Sequence, residues 1–164
     1  MEKKNSFEGL LLISGVILIA GAVGVALLGG EFLSLQIVGW ALILAVFFRF
    51  ANSVLNYHLP KSRILCMIEF VLACTVVIAS MACGSLALCL MAGIIIVSGC
   101  VLIVGYNLWE SRLSWLVNFG AGIGLIVAGI LYATGTLDFS STLMTFVGLR
   151  GANDFLLAFF KAKD

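Results

Sequence analysis

The stretch LLLISGVILIAGAVGVALL, residues 10–28, decides the fold, because neither a charge nor a proline interrupts it. A hydrocarbon core about 30 Å thick needs about 20 apolar residues in a helix rising about 1.5 Å per residue. Five similar runs follow, at approximately Leu33–Leu55, Ile64–Ala82, Leu86–Tyr106, Trp115–Ala133 and Thr142–Phe160. The chain has 164 residues, 63% of them hydrophobic and only 10% charged, and its mean hydropathy is +1.23. A water-soluble fold could not bury that much apolar surface. The expectation is an all-α membrane protein: one domain over residues 1–164, six transmembrane helices, and the lipid bilayer as its surroundings. The runs leave no room for a large extramembrane lobe, so function must lie inside the bundle, on its lipid face or in short loops.

The net charge of +1 gives no electrostatic case for nucleic acid as a partner. Five cysteines (66, 74, 83, 89 and 100) fall within or at the edges of the runs, without CxxC spacing and without histidine beside them. They read as small core residues, with Cys83 and Cys89 able to pair only if folding brings them together. Glu2-Lys3-Lys4 ahead of an apolar run resembles a signal peptide. That run is long enough to span and belongs to the repeat described below, so it is expected to stay in the mature protein.

Basic residues outside the runs alternate in place. Lys3 and Lys4, Lys61 and Arg63, Arg112, and Lys161 and Lys163 fall on one side of the expected spans. The turns around Gly29-Gly30-Glu31, Cys83-Gly84 and Gly135-Thr136-Leu137-Asp138 carry no Lys or Arg. The positive-inside rule then puts both termini in the cytoplasm.

A pattern of small residues returns about every 54 positions. Ala20-Gly21, Cys74-Thr75 and Ala128-Gly129 match in this way, as do Gly39, Gly93 and Gly148. The spacing predicts three parallel helical hairpins, approximately residues 7–58, 61–112 and 113–164, related about an axis along the membrane normal. Lipid tails are as apolar as leucine, so helices associate where small residues let backbones approach. Gly21, Gly39, Gly93, Gly129 and Gly148 are therefore the expected packing glycines, with Gly15, Gly24 and the Gly120-xxx-Gly124 pair beside them. A second copy or another membrane protein is the partner such stripes would suit.

Four ionisable residues interrupt the runs: Arg49, Glu69, Arg150 and Asp154. Each costs about 2.5–3.5 kcal/mol at mid-depth on insertion scales. Counting about 1.5 Å per residue from the loops, Arg49, Glu69 and Asp154 lie some 8–10 Å inside the cytoplasmic boundary, with Arg150 a turn deeper. Arg49 and Glu69 stand on adjacent antiparallel helices at similar depth, and Arg150 and Asp154 share a helix face at i, i+4. One reading is two neutralised pairs that clamp helices together. The other is a polar site open to the cytoplasm, with Glu69 and Asp154 exchanging protons.

Catalytic signatures are missing. The one histidine, His58, stands in a loop beside Tyr57 and Pro60, and no GxSxG, HxxxH or phosphate-binding glycine loop occurs. No catalytic residue, cofactor site or metal site is expected, and the chain reads as non-enzymatic.

Three hairpins and the wording of the runs carry a resemblance. Ser140-Ser141-Thr142-Leu143-Met144-Thr145-Phe146-Val147-Gly148 resembles the start of the last helix in the HdeD-like bacterial membrane proteins, a family associated with acid resistance. Leu35-Gln36-Ile37-Val38-Gly39 and Ala92-Gly93-Ile94-Ile95-Ile96-Val97-Ser98-Gly99 are similar to its even-numbered helices. Many relatives carry a proline at the turn inside each hairpin; here Gly29-Gly30, Cys83-Gly84 and Thr134-Gly135 stand there. The resemblance implies a bacterial inner-membrane protein linked to acid or envelope stress, and it brings no catalytic residues with it. A small proton-linked transporter or channel using Glu69 and Asp154, and a scaffold for another membrane protein, are the alternatives.

Overall fold

The computed structural model describes residues 9–28, 30–56, 60–82, 84–105 and 111–160, except the side chains of 31, 32, 56, 60, 79 and 82–89. Lys61, Arg63 and Arg112 fall within these residues; the other basic positions behind the orientation argument, Lys3, Lys4, Lys161 and Lys163, lie outside them, as do Tyr57, His58 and Asn107. So do Gly29, Cys83 and the side chain of Cys89.

The described chain is all-helical, with α1 at Gly9–Leu28, α2 at Glu31–Asn56, α3 at Pro60–Ala82, α4 at Gly84–Val104, α5 at Arg112–Ala133 and α6 at Phe139–Leu157. Three of these carry segments long and apolar enough to cross a membrane: Gly9–Leu28, Leu33–Leu55 and Arg112–Ala133. In α1 the buried residues Leu11, Ser14, Gly15, Leu18, Gly21 and Val25 recur every three or four positions. Its other face is just as apolar, with Val16, Val23 and Leu27 exposed. A helix apolar all round belongs in a large core or a bilayer. Other helices also present apolar side chains outward, with Phe47, Val71, Ile78 and Met81 each at least 60% exposed.

Pro60 is the first residue of α3 and not a loop residue. Its missing N–H costs nothing at that position, and its ring presets the helical φ. Between α5 and α6, Gly135 takes φ +76°. Its N–H donates to the Tyr132 carbonyl and that of Thr136 to Leu131, which ends α5 in a Schellman turn. Asp138 then caps α6, accepting from the Ser141 amide at 3.2 Å. Hydrogen bonds from the Ser141 side chain and amide hold its carboxyl below the ordinary aspartate range.

The helices close into a ring. Each packs against its neighbours in sequence, α6 packs back on α1, and α2 also reaches α6. The core between them is aliphatic: Leu18, Val25, Leu35, Val38, Met91, Ile95, Leu125 and Leu143 are 2% exposed or less, with Phe146 beside them.

Glycines set the closest approaches. A Cβ on Gly15 would stand 2.6 Å from the Phe155 amide nitrogen and 2.9 Å from the Gly151 carbonyl, so α1 and α6 touch backbone to backbone. A Cβ on Gly99 would lie 2.6 Å from the Gly122 carbonyl, and one on Gly122 2.7 Å from the Gly99 carbonyl, which brings α4 against α5 in the same way. Of the expected packing glycines, Gly21 lies against Ala41, Gly39 against Val77, and Gly129 against Ile96 and the Ala92 carbonyl. Gly93, Gly148 and Gly120 need correcting, because no neighbouring atom of the described residues lies within 4 Å of where their Cβ would be. A recurrence along the chain marks a level in the helix; it does not say which way the glycine faces.

Candidate functional site

The four charged residues of the apolar runs come together inside the bundle. Arg49 of α2 donates through Nη1 to Glu69 Oε2 of α3. Arg150 of α6 donates through Nη2 to the other oxygen, Oε1, at 2.7 Å. Arg49 Nε also stands 3.6 Å from Asp154 Oδ1, and Ser14 of α1 donates its hydroxyl to Asp154 Oδ2 at 2.7 Å. Glu69, Arg150 and Asp154 are at most 6% exposed, and the Arg49 side chain is 17% exposed.

These contacts differ from the two separate pairs expected. Arg49 and Glu69 do meet, but Arg150 turns to Glu69 and not to Asp154, its neighbour one turn along α6. Helical side chains lean toward the helix N-terminus, which carries the long Arg150 away from Asp154. A cation placed N-terminal to its anion is also the weaker i, i+4 order. The result is one network in which a single carboxylate serves two guanidinium groups.

Polar residues that the charge count passed over extend it. Asn153, beside Asp154, donates to Asn118 Oδ1 of α5 at 3.1 Å, and Asn118 donates to the Leu102 carbonyl of α4 at 2.7 Å. Ser14, Arg49, Glu69, the Leu102 carbonyl, Asn118 and the α6 trio thus form one polar belt that touches all six helices. Ser14, Asn118 and Asn153 were findable as polar residues within apolar runs, where such side chains tend to bond across helices.

The charged residues of α2 and α3 stand close to the 54-residue spacing of the crossing glycines. Gly15 and Gly151 make the α1–α6 crossing, Gly122 and Gly99 the α5–α4 crossing. Glu69 stands 54 residues after Gly15 and 53 before Gly122; Ala45 stands 54 before Gly99. One turn beyond Gly99 and Gly151 lie Ile103 and Phe155, and one turn beyond Ala45 lies Arg49.

Two small cavities flank the network. One of about 50 Å³ is bounded by Arg49, Glu69, Asn52, Ser62, Cys66 and Asn118, at the end of the bundle where α3 begins and α2, α4 and α6 finish. The other, about 20 Å³, lies among Arg49, Glu69 and Arg150 under an apolar cap of Leu18, Ile94 and Phe146. Four buried atoms have no hydrogen-bond partner among the described residues: Arg150 Nη1, Asp154 Oδ1, Asn153 Oδ1 and Ser53 Oγ. Cys66, Cys74 and Cys100 are free thiols. Among the described residues no group of three or more His, Cys, Asp and Glu stands close enough to hold a metal ion.

No family model matches the sequence, and neither a curated protein nor a solved structure matches it.

Proposed function

We propose that this chain is a six-span protein of the bacterial inner membrane, built from three parallel hairpins with both termini in the cytoplasm. It is non-enzymatic, of HdeD-like type, and acts in acid or envelope stress. The observation that carries this reading is the polar belt: charges with their partners at one level, inside a bundle whose core and exterior are both apolar. In hydrocarbon such a belt favours one arrangement of the helices, because any other leaves an ion unpaired. The recurrent crossings Gly15–Gly151 and Gly99–Gly122 support the parallel repeat. The link to stress rests on the resemblance of residues 35–39, 92–99 and 140–148.

A second reading, a small proton-linked transporter or channel, is favoured by the cavity that reaches Glu69 from the end assigned to the cytoplasm. A membrane scaffold has no comparable observation in its favour.

Reporter fusions test the placement. Tyr57, Asn107 and Lys163 should read cytoplasmic, and Gly30, Gly84 and Thr136 external; one inverted central loop removes a span and the repeat with it. A deletion strain carrying a plasmid copy tests the role, with survival at low pH and cytoplasmic pH both recorded. Survival equal with and without the gene would end the stress reading.

A further inference from the structure

We propose that the Arg49–Glu69–Arg150 cluster binds one small monovalent anion, of the chloride class, taken up together with one proton on Glu69.

The inference starts from how Glu69 is shared. Its two oxygens satisfy one guanidinium each, so protonating this one carboxylate takes the anion from Arg150 and leaves Arg49 with Asp154 alone. Two arginines and two carboxylates sum to zero. With Glu69 neutral the cluster carries one uncompensated positive charge, which a low-dielectric interior does not tolerate. An anion between the two guanidinium groups restores neutrality.

Position singles out Glu69 over Asp154. Glu69 borders both cavities, and Asp154 borders neither. Asp154 is 0% exposed and keeps the Ser14 hydroxyl and Arg49 whatever happens to Glu69. Around Glu69, α2 presents Arg49, α6 presents Arg150 and Asp154, and α3 itself presents Cys66. From α1 and α5 come the uncharged Ser14 and Asn118, and α4 contributes apolar Leu102 and Ile94. Cys100 of α4 is exposed, outside the cluster.

Arg150 supplies the second observation. It is 2% exposed and borders the smaller cavity, yet its Nη1 has no acceptor among the described residues. A donor in that state costs about 1–3 kcal/mol, more when charged, and an anion in that cavity satisfies it. Size sets the class. A cavity needs about 10–15 Å³ to admit one water-sized particle, so spaces of about 20 and 50 Å³ admit a monatomic or few-atom anion and exclude organic acids of gluconate size. Asn52, Ser62 and Asn118 give the larger space a polar approach from the bundle end.

The inference rests on the membrane-buried placement proposed above and not on the link to stress. The test uses the full chain in nanodiscs, with sodium chloride exchanged for sodium gluconate at constant ionic strength. Chloride added in weak buffer at pH 5 should draw about one proton from solution per bound anion, and at pH 8 the same chloride should bind too weakly to draw any measurable amount. Because one proton accompanies one anion, the apparent chloride Kd should weaken about tenfold per pH unit through the linked range. Glu69→Gln should bind chloride with no pH dependence, and Arg150→Gln should lose the binding. A folded wild-type protein that binds no chloride at pH 5 overturns the proposal. So does binding whose pH dependence survives in Glu69→Gln, which would place the anion elsewhere. Glu69→Gln decides the matter even if Arg150→Gln does not fold. The reporter fusions read topology without chloride, so a failure of placement shows up separately from a failure of anion binding.

Discussion

Replacing Glu69 by Gln removes one charge but leaves two guanidinium groups to account for, and their fates differ. Arg49 keeps Asp154, 3.6 Å from its Nε. Arg150, whose side chain is 3% exposed, loses the one ionic partner it has among the described residues. Stranding a buried charge in this way costs about 3–5 kcal/mol. For a chain of this length each kcal/mol moves the thermal midpoint by about 2–4 °C, so Glu69→Gln should melt on the order of 10 °C below wild type. Circular-dichroism melts in detergent, run in gluconate so that no small anion substitutes for the carboxylate, would measure it. Adding Arg150→Gln should recover more than half of the loss, because it removes the stranded ion. Adding Arg49→Gln should recover less, since it strands Asp154 as well. A single variant that melts with wild type, or a larger rescue from Arg49→Gln, would refute the shared-carboxylate reasoning.

Two further outcomes follow from the packing and the turn. Gly15→Ala and Gly99→Ala should each destabilise by about 1–3 kcal/mol, because the new methyl meets backbone atoms that cannot move without parting two helices; Gly93→Ala and Gly148→Ala should be neutral or slightly stabilising, and equal losses at all four positions in the same melts would mean the glycine contacts are misassigned. At the α5–α6 turn, Asp138 has a lowered value in the folded state, so its contribution is present above the unfolded aspartate range and is lost as pH falls through the lowered value. Hydrogen exchange at the Ser141 amide should accelerate over that acid window in wild type and show no such step in Asp138→Ser.

How much of this was legible beforehand depends on whether a feature is a property of one helix or of a contact between two. Residues 10–28 read as a helix because nearly every side chain there is apolar, and no neighbour is needed to see it. The Gly135 turn was marked by its own residues, since glycine takes φ +76° without a clash. Arg49, Glu69, Arg150 and Asp154 stood out because a charge among aliphatic residues is costly wherever the helix goes. Their partners did not stand out. Spacing along α6 puts Asp154 near Arg150, but only the ring of helices brings Glu69 within 2.7 Å of Arg150 across 81 positions, and the direction in which side chains lean decides between the two. Ser14 and Asn118 became part of the site for the same reason: each lies one crossing away from α6.

The glycines divide along the same line. Their recurrence at about 54 residues is written in the chain, and so is the level at which each sits. Rotation about the helix axis is settled only by packing, which turned Gly15, Gly99 and Gly122 onto a neighbouring backbone and left Gly93 and Gly148 away from any described neighbour. The sequence alone determined that the chain is helical and apolar, and which residues are out of place in it. Which of those residues share a carboxylate or a cavity was decided by the tertiary structure, because those properties belong to atoms brought within about 3 Å of one another by the packing of separate helices.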